Sequence, residues 1–362
     1  MKQKCLSILV LALWLGLAAL AWISAPQEIS DAERRPLAQM PQITLESVMN
    51  GSFMDQFEAY CLDQFPLRDT FRSLKSRFHL YVLGQKDSNG IYIADGYAAQ
   101  TVYPLNEVSV NHALNRFQML YENYLADSRI YMAVVPDKGY YLAESSGHLS
   151  VDYDALYDRI AAGMPWAEQI DLRPVLKLED YYRTDTHWRQ EQLLPAAAEI
   201  CQAMGVDSPK GEDYTGIILE RPFYGVYYGQ AALPMEPDSV TLLSSPLLEN
   251  CSVYDHETGK TLPVYDLEKL DSRDLYDVYL SGAKPLLTIH NPAGDPEREL
   301  IVFRDSFGSS MIPLLIGDYG TVTVVDTRYI SPELLPRFLD FHGQDVLMLY
   351  STLILNNSSA IK

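Results

Sequence analysis

Ser306 follows an apolar run, Leu300-Ile301-Val302-Phe303, in the string Arg304-Asp305-Ser306-Phe307-Gly308. Four apolar residues, two of them β-branched, read as a buried strand. Phe307 to Ile316 reads as the start of a helix, so Ser306 is expected at a strand-to-helix corner. Backbone N–H groups at a helix start have no intrahelical acceptor and can hold a developing negative charge. A serine hydroxyl is a weak nucleophile until a base takes its proton. Of the seven histidines, His187 has the most suggestive neighbours, in Arg183-Thr184-Asp185-Thr186-His187-Trp188. Asp185 and His187 are two apart, so in an extended loop both side chains face the same way. Asp185 can then accept from Nδ1–H and leave Nε2 facing Ser306, the orientation of a serine-histidine-aspartate triad. Plainer roles stay open: Ser306 as a helix cap, Asp185 as an N-cap, His187 as a structural histidine. His256 lies in a polar stretch before Thr258-Gly259 and reads as solvated surface. His79 reads as half-buried on a helix.

The elements that must hold these residues alternate. Arg129–Val135 reads as an apolar strand ending at Pro136-Asp137-Lys138, and residues 321–325 and 345–350 read as two more. Trp166–Leu172 holds a shorter one. Helices are expected over 111–125, 152–162 and 189–204, the last ended by Gly205. Interleaved helices and short apolar strands define an α/β protein, a three-layer sheet with helices on both faces. In such sheets ligands bind beyond the carboxyl ends of the strands. The strings 136–138, 304–306 and 326–328 all fall there. Residues 205–285 break the alternation and are expected to form a β-rich insertion packed beside the sheet.

Ahead of this domain, residues 45–80 have helical spacing, with Phe53, Phe57, Tyr60 and Cys61 forming one buried face. Pro66 breaks the pattern, and a second helix is expected over 69–82. Asn89-Gly90 signals a hairpin turn. Lys2 and Lys4 precede an uncharged run from Cys5 to Gln27 that is long enough to span a bilayer. The basic flank favours a cytoplasmic N-terminus and an uncleaved anchor. Ala19-Leu20-Ala21 has the form of a signal-peptide cleavage site and supplies the rival reading. Both readings place the later residues outside the cytoplasm. The expected organisation is 1–27 anchor or signal segment, 28–84 stem and N-terminal helices, and 85–362 α/β domain.

Composition narrows the chemistry. The 362 residues carry 28 Lys and Arg against 48 Asp and Glu, a net charge of −20, which repels nucleic acid. The 25 tyrosines suit half-wet or carbohydrate-like contacts as well as strands. Cys5, Cys61, Cys201 and Cys251 make no CxxC or His/Cys cluster, so a structural zinc site is not expected. At most one disulfide can join the last three, and buried free thiols are the expected state.

Asp185-Thr186-His187-Trp188 resembles the Asp-x-His-Trp signature of the DHHW proteins of Gram-positive bacteria. Those are similar to the alginate O-acetyltransferases of the SGNH hydrolase-like superfamily. Further landmarks resemble the family in the same order: Glu33-Arg34-Arg35-Pro36-Leu37, Tyr60 through Asp63-Gln64-Phe65-Pro66-Leu67-Arg68, Val135-Pro136-Asp137-Lys138, Phe223-Tyr224-Gly225, Phe303 through Gly308, and Asp326-Thr327-Arg328-Tyr329. The resemblance implies an SGNH hydrolase-like sheet with Ser306 as nucleophile, His187 as base and Asp185 as its orienter. It shares the permuted order in which the serine comes last. Two departures stand out. Arg304-Asp305-Ser306 replaces Gly-Asp-Ser, and Thr186 replaces the first histidine of Asp-His-His-Trp. The Ser306 N–H is one candidate oxyanion donor, with Gly282 or Asn291 as a second. Lys138, Arg304, Asp305 and Arg328 are candidate substrate contacts, with structural ion pairing as the alternative for Lys138 and Arg328. The resemblance implies no metal or organic cofactor, a polysaccharide substrate, and an acetyl group delivered by a membrane-bound acyltransferase. Three functions follow: an O-acetyltransferase acting on a cell-surface glycan, an esterase using the same residues with water as acceptor, or a non-catalytic glycan-binding envelope protein.

Overall fold

The computed structural model describes residues 2–30 and 32–362. They form two compact units, residues 1–89 with 228–234, and residues 90–227 with 235–362.

The larger unit is built on an eight-stranded sheet. Its strands are β1 (Arg129–Val135), β2 (Glu168–Asp171), β3 (Ser252–Asp255), β4 (Lys260–Leu262), β5 (Leu286–His290), β6 (Asp295–Arg304), β7 (Tyr319–Val325) and β8 (Asp345–Ser351). The order across the sheet is β4-β3-β5-β7-β6-β8-β1-β2. β7, β6, β8, β1 and β2 run parallel, and β5, β3 and β4 complete one edge antiparallel. Parallel strands are covered on both faces, which is why β1, β6 and β8 read as continuous apolar runs rather than as alternation. Ala133, Val302 and Leu347 share one buried cluster with Ala197, Ile200 and Met204 of the helix Leu194–Met204. Met132, Ile301, Phe303 and Met348 face the helices Glu107–Leu120 and Tyr153–Gly163 through Phe117, Leu156 and Ile160. Each Val, Leu, Ile, Phe or Met side chain so buried contributes about 1.5–3 kcal/mol. The expected three-layer α/β fold is therefore present. The helix ends follow local rules: Asn106 and Asp152 cap their helices through Ser109 and Ala155 N–H, and Gly205 ends its helix in the left-handed region.

Three expectations about this unit need correction. Residues 205–285 do not simply pack beside the sheet, because β3 and β4 extend it. Val253 pairs with Ile289 and is buried, so a strand too short and polar to recognise is stabilised by its neighbour. The hairpin is Ile91–Ala94 with Tyr97–Gln100, turning at Asp95-Gly96 rather than at Asn89-Gly90. Both dipeptides adopt left-handed φ, but only Asp95-Gly96 joins two paired strands. Phe307–Ile316 is not one helix. It holds an α turn, Gly308–Met311, and a 3-10 turn, Ile312–Leu314, around Pro313.

The smaller unit holds the apolar helix Lys2–Ile23, whose residues 6–23 are long and apolar enough to cross a membrane and are unburied. Helices follow at Ser52–Asp63 and Arg68–Arg77, separated around Pro66. Phe53, Phe57 and Tyr60 touch one another at 5.8 and 6.2 Å between centroids, yet no residue of that helix is buried. The expected buried face is only half covered, and Cys61 is exposed. Cys201 and Cys251 are buried free thiols, pushed up by burial to about 12 and about 11.

Candidate active site

Ser306 lies just past the carboxyl end of β6, between the outermost strand residue Arg304 and the turn at Gly308. Asp305 shapes this corner. Its Oδ1 accepts from Phe307 N–H at 3.0 Å, and its Oδ2 accepts from the N–H and hydroxyl of Ser351 at 2.8 and 2.6 Å. The corner is thus pinned to the end of β8. Gly308 is required for the tightness of the turn, since a Cβ there would lie 2.8 Å from Cβ of Arg304. The N–H of Ser306 meets no acceptor among the described residues. The helical turn behind it is too short to supply much dipole, so any oxyanion binding here rests on that donor itself.

His187 comes from a loop closed on itself. Tyr181 bridges Trp188, and Tyr182 N–H donates to His187 O at 3.0 Å. Within it, Asp185 Oδ1 accepts from His187 N–H at 3.1 Å and from Nδ1 at 2.6 Å, while Oδ2 accepts from Val226 N–H at 2.8 Å. Nε2 of His187 lies 2.8 Å from Ser306 Oγ. Asp185, His187 and Ser306 therefore form an unbroken hydrogen-bonded chain. The imidazole is stacked on Tyr276, with centroids 3.9 Å apart and planes 7° apart, and Phe307 lies 5.0 Å away. The Asp185 carboxylate is buried, and Phe223-Tyr224-Gly225 explains how the backbone reaches it. A Cβ at Gly225 would fall 2.3 Å from Cα of Asp185. Thr184 completes the support, accepting from Gly225 N–H at 2.8 Å and donating to Asp238 at 2.6 Å.

Several of these partners were missed from sequence. Trp188 Nε1 donates to Phe307 O at 3.0 Å, and Gln190 Nε2 donates to Ser310 O at 2.9 Å. These two bonds lock the histidine loop onto the serine corner across more than a hundred residues. Tyr276, whose hydroxyl lies 2.7 Å from Ser310 Oγ, was visible only as one tyrosine among many. Trp188 did have a signal, since it sits beside His187 in the motif.

The remaining candidates separate by position. Arg328 lines a cleft of about 380 Å³ with Ser306, Thr186, Tyr103, Asn356 and Asn357. Its guanidinium holds Asp326 in two bonds of 2.8 and 2.6 Å. Arg304 is fully buried. It donates to Gly282 O at 3.0 Å and lies 3.6 Å from Asp326, so it braces the corner and cannot touch a substrate. Asp305 acts in the same structural way through Phe307 and Ser351. Gly282 is not a free donor, because its N–H is already bonded to Tyr279 O at 3.1 Å. Asn291 is displaced to the other end of the sheet. Its amide donates to Gly317 and Tyr319 O, beside the amino end of β7, whereas Ser306 lies at the carboxyl end of the parallel strand β6. Seven strand residues at about 3.3 Å each separate those edges. Among the described residues no three His, Cys, Asp or Glu gather to hold a metal ion.

Lys138 is buried beneath the histidine loop, not in the cleft. Its Nζ donates to Tyr182 O at 2.8 Å and Arg183 O at 3.3 Å, and sits 5.1 Å above the Tyr227 ring. Burial pushes the ammonium down from 10.5 to about 7, against the opposing pull of Asp185, Asp238 and Asp137. The folded protein therefore binds this proton less tightly than the unfolded chain. Between about pH 7 and about pH 10 the unfolded state holds more protons, so Lys138 makes stability rise with pH; below about pH 7 its contribution is flat. Lys138→Met is expected to remove that rise, read as the pH dependence of the urea midpoint relative to the parent protein. An unchanged slope in the variant would place the titration elsewhere.

No family model and no curated protein sequence matches the chain. Solved structures do. Each shares the three-layer sheet on which this chain carries its Asp-His-Ser hydrogen-bond chain at the strand ends. A DHHW family protein from Eubacterium siraeum matches at TM-score 0.61, over 76% of this chain and 95% of that one, with 21% identity. Bacillus cereus PatB1 matches at TM-score 0.58, over 73% of this chain and 96% of that one, with 16% identity. PatB1 with a sulfonyl adduct matches at 0.57 with 15% identity. The chain has the fold of these proteins, as the resemblance of its motifs implied.

Proposed function

We propose that the protein is an extracytoplasmic O-acetyltransferase that acylates a hydroxyl of a cell-envelope polysaccharide through Ser306, His187 and Asp185. The observation that carries this reading is the continuous chain of bonds, 2.6 Å from Asp185 to His187 and 2.8 Å from His187 to Ser306. In the first half-reaction Ser306 Oγ attacks the acetyl carbonyl of a donor ester and gives its proton to Nε2. The oxyanion so formed faces the Ser306 N–H. Collapse breaks the bond to the donor's leaving group, which takes the proton from His187 and leaves acetyl-Ser306. In the second half-reaction His187 takes the proton of a sugar hydroxyl, that oxygen attacks the acetyl carbon, and Ser306 departs with its proton restored. Asp185 holds the ring in the Nδ1–H tautomer and stabilises the imidazolium.

The cleft supports a polyol acceptor. Tyr103, Thr186, Asn356 and Asn357 offer donors and acceptors suited to sugar hydroxyls. Its Arg328 is held by Asp326 in two bonds, which fixes the guanidinium at the cleft wall. The apolar helix at residues 6–23 accords with delivery to the outer side of a membrane. The test is intact-mass analysis of the full chain after exposure to p-nitrophenyl acetate, followed by addition of a glycan oligosaccharide. One acetyl group should appear on Ser306 and move to the oligosaccharide. Acetate released at the same rate with and without glycan would make the protein an esterase. No adduct, with glycan binding unaltered in Ser306→Ala, would make it a binding protein.

A further inference from the structure

Residues 68–82 form one continuous helix, α-helical over Arg68–Arg77 and widening to a π turn over Phe78–Val82. Its inner side is packed. Ser76 is buried and accepts from the Ser88 hydroxyl at 2.8 Å, and Arg72 pairs with Glu33 at 3.0 Å. Its outer side exposes Phe71 at 41%, Leu74 at 61%, Phe78 at 49% and Val82 at 66%. Spacing of three, four and four residues places these on a single stripe. Exposed Lys75 and Arg77 border it. The helix carries four basic residues against one acidic, in a chain whose net charge is −20. An apolar stripe edged by basic residues is the pattern of a helix lying in a bilayer interface, and its charge suits anionic headgroups.

A second observation places the start of this helix beside the exit of the apolar helix. Gln27, four residues past Ile23, donates its N–H to Gln64 Oε1 at 2.8 Å, and Gln64 Nε2 donates back to Gln27 O at 2.8 Å. Gln39 Nε2 also donates to Gln27 O at 2.8 Å. Ser24 and Ala25 line one small cleft together with Leu67, Arg68, Asp69 and Thr70. The first turn of the 68–82 helix is therefore tied to the point where residues 6–23 end. At about 1.5 Å per residue the helix is about 22 Å long.

We propose that the 68–82 helix is an interfacial membrane helix, with Phe71, Leu74, Phe78 and Val82 set into the outer leaflet and Lys75 and Arg77 at the headgroups. The proposal rests on residues 5–27 being an uncleaved anchor, and on no part of the catalytic reading. The test uses the full chain with Cys5 and Cys61 changed to Ser, carrying a single labelled cysteine at Leu74→Cys, Phe78→Cys or, on the inward side, Ser73→Cys. It is reconstituted in vesicles of phosphatidylcholine and phosphatidylglycerol. A polarity-sensitive fluorophore at 74 and 78 should shift to the blue and be quenched by lipids spin-labelled near the top of the acyl chain. At 73 the lipid spin labels should leave it unquenched. The double change Lys75→Glu with Arg77→Glu should reduce the quenching. If the chain floats with the vesicles while 74 and 78 remain unquenched, the helix does not lie in the interface. A chain that does not float overturns the anchor and this proposal together, and leaves acetyl-Ser306 formation unaffected.

Discussion

Ser306→Ala should remove acetyl transfer, with turnover falling about a thousandfold or more, while the melting temperature stays near that of the parent. The reason lies in what the hydroxyl does and does not hold. Ser306 Oγ bonds to His187 Nε2, but the corner is built by Asp305 and Ser351 and the ring by Asp185 and Tyr276. Removing the oxygen deletes the atom that the proposed mechanism acylates and leaves those supports in place. A partly exposed hydroxyl contributes about 1 kcal/mol or less to stability. Turnover of p-nitrophenyl acetate and thermal unfolding, measured side by side, check both halves. Activity within tenfold of the parent would show that another residue carries the acetyl group.

Asp185→Asn is expected to lower turnover about 10⁴-fold, the scale of an imidazole held in the wrong tautomer. The carboxylate accepts on both sides, from His187 Nδ1 and N–H through Oδ1 and from Val226 N–H through Oδ2. An amide has one accepting oxygen and one donating nitrogen. With the oxygen toward His187, the NH2 opposes the Val226 N–H and leaves two buried donors face to face, at a cost of about 1–3 kcal/mol. With the NH2 toward His187, Nδ1 must be unprotonated. Nε2 then carries the proton and cannot accept from Ser306. The expected signature is a large fall in turnover with a modest fall in urea midpoint, distinct from the near-silent stability of Ser306→Ala. Full activity in Asp185→Asn would remove the carboxylate from the mechanism.

What separated legible features from hidden ones was the range of the interactions behind them. Asp185 and His187 are two residues apart, so their 2.6 Å contact could be anticipated from loop geometry. The corner at Arg304-Asp305-Ser306 announced itself because an apolar run buried on both faces ends abruptly in polar residues. Lys138, Arg304, Gly282 and Asn291 could not be sorted this way. Each is a polar residue near a strand end or turn, and its role depends on what a distant segment brings to it. Lys138 finds carbonyls at 182 and 183, Arg304 finds Gly282 and Asp326, and Asn291 turns toward Tyr319.

The sequence by itself determined the parallel strands, the helices that cover them, the apolar N-terminal helix and the pairing of Asp185 with His187, because each follows from periodicity or from neighbours within a few residues. Only the tertiary structure decided that Nε2 of His187 meets Ser306, that Trp188 and Gln190 clamp the two segments, and which cations are buried supports rather than cleft residues. Those outcomes depend on register and burial between segments far apart in the chain, and local propensity carries no information about either.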